Sequence, residues 1–149
     1  MTVRTWVAGL AVAASLLACS GQESPQELLE RARGALADGK ANAAVIDIKT
    51  ALQQDADNPE ARLLFGRAYM LQNDPASAVD EFRRAVDGGN LEAQALHARA
   101  LVDAGQAAEL IELHEQSDPA PSGSKAPTYL AALARAYSDR GDAEKADAV

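Results

Sequence analysis

Residues 65–85 read Phe-Gly-Arg-Ala-Tyr-Met-Leu-Gln-Asn-Asp-Pro-Ala-Ser-Ala-Val-Asp-Glu-Phe-Arg-Arg-Ala. Asp74-Pro75 divides the stretch into two short amphipathic helices, and small residues interleave with bulky ones at helical spacing. Weaker copies of the pattern recur along the chain. A period of about 34 residues, each unit a helix pair, is the signature of a solenoid rather than of a single globular core. The question then becomes what the chain holds and where, more than which reaction it performs.

Outward from this stretch, the punctuation is regular. Asn58-Pro59 opens a helix over about 59–72, and Asp74-Pro75 opens the next, which ends at Gly88-Gly89. Upstream, Ser24-Pro25-Gln26-Glu27 combines an N-cap serine, a proline in the first turn and the glutamate of a capping box. The helix it starts runs to about Asp38, with Leu28, Leu29, Ala32, Ala35 and Leu36 on one stripe. A second covers about 41–54 around Ala44, Val45, Ile48, Ala51 and Leu52. Downstream, Asn90 is expected to cap a helix over about 91–104, followed by one over about 107–116. The Pro/Ser/Gly-rich segment from Ser117 to Lys125 admits no helix. A seventh helix is expected over about 127–139, and Gly141-Asp142 restarts an eighth. With Val149 only seven residues into that eighth helix, the visible copies read as the start of a longer solenoid, a frayed tail being the alternative.

The chain has 149 residues, is 48% hydrophobic but only 4% aromatic, and carries a formal charge of −8. Alanine and leucine without β-branched runs favour helix. The acidity argues against non-specific nucleic-acid binding, which draws its affinity from Lys and Arg on phosphates. One cysteine, Cys19, excludes an intramolecular disulfide.

The first nineteen residues form an address. Arg4 is the sole charged side chain before Glu23, and Trp6 to Ala18 is an uncharged run of thirteen residues. As a helix it would span ~20 Å, short of the ~30 Å hydrocarbon core, so it reads as a secretory signal peptide. Its exit, Leu16-Leu17-Ala18-Cys19-Ser20, resembles the lipobox of bacterial lipoproteins. That resemblance implies cleavage after residue 18, lipidation of Cys19, and a tether over 19–24. Several buried acyl chains give the stable anchoring that one chain does not. Ser20 in place of aspartate implies, by Gram-negative sorting rules, the outer membrane, with the chain facing the periplasm. An ordinary signal peptide with a chance cysteine is the alternative.

Over 25–149 the chain resembles the tetratricopeptide repeats, whose helix pairs carry small residues at positions 8, 20 and 27, an aromatic at 11 and a bulky residue at 24. With Pro59 as position 1, Gly66, Tyr69, Ala78, Phe82 and Ala85 occupy those places. The first copy offers Ala32, Ala35, Ala44, Ile48 and Ala51. The last visible one offers Leu133, Ala134, Tyr137, Gly141 and Ala146. The third departs most: Ala98 and Gly105 fit, but Leu110 replaces the expected alanine and His114 the bulky apolar residue. The resemblance implies an all-α, right-handed α-solenoid of about 3.5 repeats, with copies at about 25–58, 59–90, 91–125 and a truncated 126–149. A narrower resemblance rests on the lipobox, the Ser-Pro start, the Ala43–Leu52 stretch and Pro59-Glu60-Ala61-Arg62. It is to the tetratricopeptide-repeat lipoproteins of PEP-CTERM/exosortase systems, and it implies a role in envelope protein sorting or exopolysaccharide export.

Nothing in the sequence assembles a catalytic site, a phosphate loop or a metal-ligand spacing, so no enzyme activity, cofactor or metal is expected. His97 and His114 stand apart, and Glu109, Glu112, Glu115 and Asp118 read as a solvated acidic face. One pattern goes beyond packing. Arg33, Arg67, Arg99 and Arg135 fall at position 9 of successive first helices, at intervals of 34, 32 and 36 residues. In the family this position faces the concave groove, so four guanidinium groups would line one strip. Their forked donors suit carboxylates, which points to a protein segment or an acidic polymer as the occupant. The local alternative, which weighs more on the residues alone, pairs each arginine with a carboxylate on its own or the next helix. The leading reading is a lipid-anchored interaction scaffold. An outer-membrane or pilus assembly factor, or the anchor region of a larger enzyme, are the competing readings.

Overall fold

The computed structural model describes residues 23–117 and 126–149. The expected signal peptide, Cys19 and most of the Pro/Ser/Gly-rich segment lie outside them. Within them the chain forms eight helices in sequence-adjacent pairs and no strand. They are α1 (Pro25–Ala37), α2 (Ala41–Gln54), α3 (Pro59–Leu71), α4 (Pro75–Asp87), α5 (Glu92–Asp103), α6 (Ala107–Gln116), α7 (Pro127–Arg140) and α8 (Ala143–Ala148).

The starts follow from local chemistry. Ser24 and Glu27 form the reciprocal capping box, with the Glu27 carboxylate accepting from the Ser24 N–H at 2.9 Å. The Asn58 side chain accepts from the N–H groups of Glu60 and Ala61 at 3.1 and 3.0 Å. Asp74 does the same for Ser77 at 3.1 Å. Asn90 caps as expected, its side chain accepting from the Ala93 N–H at 3.2 Å, but Leu91 is already in helical conformation at the N-cap position and α5 starts at Glu92, one residue later than expected. Each first helix of a pair ends in a left-handed residue, at Gly39, Asn73, Gly105 and Gly141, six positions after Arg33, Arg67, Arg99 and Arg135 respectively. Glycine takes this conformation without a Cβ penalty, and asparagine is the usual substitute.

Helix α3 is the pivot of the packing. Leu64, Phe65 and Ala68 join α1 and α2 in one buried cluster, whereas Leu63 joins a second cluster that continues through α4, α5, α6 and α7. A helix buried on both sides loses the amphipathic contrast that marks a surface helix. Within the α3–α4 pair, Gly66 lets the ring of Phe82 approach so closely that a Cβ there would sit 2.5 Å from it. The buried carboxylate of Glu81 is held by Arg62 at 2.8 Å.

The third pair is built differently. Helix α6 packs more against α7 than against its own partner α5, unlike α2 and α4, which pack chiefly on theirs. The reason lies at Leu110, fully buried where Ala44 and Ala78 sit in the earlier pairs. A leucine in place of a methyl holds the helices apart.

Candidate functional site: an arginine-lined groove

The four arginines occupy equivalent places on α1, α3, α5 and α7. Each follows the small residue of the helix's packing face: Ala32, Gly66, Ala98 and Ala134. A step of one residue turns the helix by about 100°. The side chain therefore leaves the packed seam and enters the face shared by the first helices.

The middle of that face is open. Helix α1 touches α3 and α5 touches α7, but α3 and α5 barely approach each other. A cleft of about 540 Å³ lies there, lined by Arg33, Arg67 and Arg99 together with Leu36, Leu64, Met70 and Leu96. A second cleft of about 500 Å³ lies toward α7, lined by Arg99, Asp103, Thr128 and Arg135 among others. Arg99 borders both. Three of the four arginines thus meet in one cleft, and the fourth faces the next through a shared neighbour.

The local pairing is present as well. Arg33 pairs with Glu30 on its own helix and reaches Glu60 of α3 at 2.8 Å. Its hydrogen bond to Glu60, opposed by partial burial, raises its already high pKa. Arg67 crosses from α3 to Glu92 of α5. Arg99 and Arg135 share one carboxylate, Asp103, each at 3.4 Å, and Arg135 also has Asp139 at 3.9 Å. Groove lining and carboxylate pairing are therefore two aspects of one arrangement. These are exposed pairs, each worth at most about 1 kcal/mol, so an incoming carboxylate can compete for them. The acidic partners Glu60, Glu92 and Asp103 escaped the sequence reading. The visible signal was a glutamate seven residues before Arg67 and before Arg99, two helical turns away on the same face.

Elsewhere, His114 is half-buried, and its Nδ1 lies 3.3 Å from the Tyr129 hydroxyl. His97 lines a separate cleft of about 390 Å³ with Arg83, Asp87, Glu109 and Tyr129. Its Nε2 is buried without a hydrogen-bond partner. Burial, reinforced by the nearby Arg83 charge, lowers its pKa. Of the aromatics at the repeat-pattern positions, Phe82 and Tyr137 are buried. Tyr69 is only half-buried, stacked on Phe65 at 4.7 Å between centroids. Glu109, Glu112 and Glu115 are exposed as expected, although Glu115 meets Lys145 at 2.7 Å, and Asp118 lies outside the described residues. Among the described residues no group of three or more His, Cys, Asp or Glu is placed to hold a metal ion. None of their helices is long and apolar enough to cross a membrane.

Comparison with curated proteins gives no match. Residues 35–87, from the last turn of α1 to the end of α4, match the family described as Tetratricopeptide repeat. The pairs α5–α6 and α7–α8 follow that stretch, and the described residues form an all-α solenoid of tetratricopeptide-type helix pairs.

Proposed function

We propose that the chain is a non-catalytic scaffold that holds a partner protein on the face formed by α1, α3, α5 and α7. The anchor is lipid on Cys19, and the setting is the periplasmic side of the outer membrane. The sequence around Cys19 supports the anchor, and the narrower lipoprotein resemblance supports a role in envelope protein sorting or exopolysaccharide export. The observation that carries the binding role is the 540 Å³ cleft, in which three arginines stand beside apolar side chains. Most ligand sites combine an apolar wall with a few placed polar groups in this way.

Two measurements test the reading. A photo-crosslinking amino acid at Leu71, which lines the cleft, is expected to trap a protein partner in cells, whereas one at Ile46, exposed on α2, is not. Adducts from Ile46 alone would overturn the groove as the docking face. Cys19→Ala is expected to release the chain from membranes on carbonate washing. Retention of that variant would remove the anchor.

A further inference from the structure

The carboxylates across the groove follow a rule, and the rule lapses once. Arg33 of α1 meets Glu60 of α3, and Arg67 of α3 meets Glu92 of α5. Each receiving glutamate lies seven residues before the next arginine in the row. The third rung would run from Arg99 of α5 to the same place on α7, seven residues before Arg135. That place holds Thr128, which has no charge to offer. Arg99, Thr128 and Arg135 nonetheless line one cleft. Deprived of a cross-helix carboxylate, Arg99 turns to Asp103 on its own helix, and Arg135 takes the same group, both at a long 3.4 Å. Both arginine side chains remain 62% exposed, against 42% and 38% for Arg33 and Arg67.

From this we infer that the cleft between Arg99 and Arg135 takes a glutamate side chain supplied by the partner, which completes the missing rung in trans. The inference rests on the groove being the docking face and names what is docked. The two complete rungs show the species that fits, a glutamate carboxylate against one guanidinium. Arg99 also borders the larger cleft with its Leu36, Leu64, Met70 and Leu96 walls. The occupant therefore continues past the carboxylate and places apolar side chains there. That combination describes an extended polypeptide. A polyanionic sugar chain would want an even row of cations, and the row is uneven: Arg33 and Arg67 are more covered and paired across helices with Glu60 and Glu92, while Arg99 and Arg135 share Asp103 at longer range.

The test uses fluorescent decapeptide pools, N-acetylated and C-amidated so that no terminal charge contributes, with a central Glu or a central Gln and the other positions random. The full chain is expected to retain the Glu pool about tenfold better than the Gln pool, the scale of one charge-assisted hydrogen bond. Thr128→Glu, which supplies the rung in cis, is expected to lower Glu-pool retention about as much. Ile46→Glu, which adds the same charge on α2 outside the groove, should leave retention unchanged. A glutamate at 128 sits in the first turn of α7, where the helix dipole favours it, so the variant stays folded. Equal retention of the two pools, or a Thr128→Glu variant that binds like the parent, would overturn the inference. So would an oligogalacturonate that is retained while both peptide pools wash through. Each of those outcomes leaves the crosslinking result at Leu71 to judge the docking face separately.

Discussion

A methyl group on Gly66 would lie 2.5 Å from Cε1 of Phe82, a ring that is itself fully buried. Alanine normally gains about 0.5–1 kcal/mol over glycine inside a helix. Overpacking a tight core costs about 1–3 kcal/mol, so the clash wins. Gly66→Ala is expected to lower stability by about 1–2 kcal/mol, read as a shift in urea midpoint. Adding Phe82→Leu should recover much of the loss, because the first pair already joins an alanine to a smaller partner, Ala32 with Ile48. The small-and-bulky alternation was legible in residues 65–85. What stayed hidden was which pairs touch, since Tyr69 obeys the pattern yet sits half-exposed on Phe65.

At the scale of elements, α8 shows how little holds the last visible turn. It has no buried residue. Its links to the body are the half-buried Ala146, packed against the core, and Lys145, which meets Glu115 at 2.7 Å and lies 5.4 Å from the Tyr137 ring centroid. Glu115 also takes Arg140 at 3.5 Å. The Lys145 hydrogen bond, with Arg140 adding, holds the Glu115 carboxyl below its ordinary value of 4.5. A carboxylate with a depressed folded-state pKa contributes stability that is present above the ordinary value and lost as pH falls through the folded one. Glu115→Gln is expected to speed amide exchange across residues 143–148 at neutral pH and to leave α3 and α4 unchanged. The parent chain should fall to the same protection factors as pH drops through the lowered pKa of Glu115, below 4.5. Exchange that is equally fast in parent and variant at pH 7 would show that the link holds nothing. Helix boundaries were readable because caps, prolines and glycines act within a few residues. The splaying of α5 from α6 was not, because Leu110 acts only through the distance between two helices.

Across the whole molecule, cooperativity passes through α3, whose adjacent leucines serve different cores. Leu64→Ala and Leu63→Ala each remove a fully buried side chain, and each is expected to cost about 2–5 kcal/mol. Their effects should separate in native-state hydrogen exchange, as nearest-neighbour coupling in a solenoid requires. The first should loosen α1 and α2, and the second α5 and α7. Uniform loosening by both would mean the two clusters behave as one. The fold class was legible from periodicity and the arginine row from its spacing. The gap between α3 and α5, the carboxylate rungs and the lapse at Thr128 depend on how helices from different copies lie beside each other. The left-handed residue six positions after each arginine gives this architecture a reading frame. One residue inserted between an arginine and its chain reversal would swing the guanidinium about 100° around the helix and out of the groove. The same residue inserted after the reversal would only lengthen a connector. Drift in loop length is thus free on one side of Gly39, Asn73, Gly105 and Gly141 and forbidden on the other, so the spacing of the charges can outlast the loops between them.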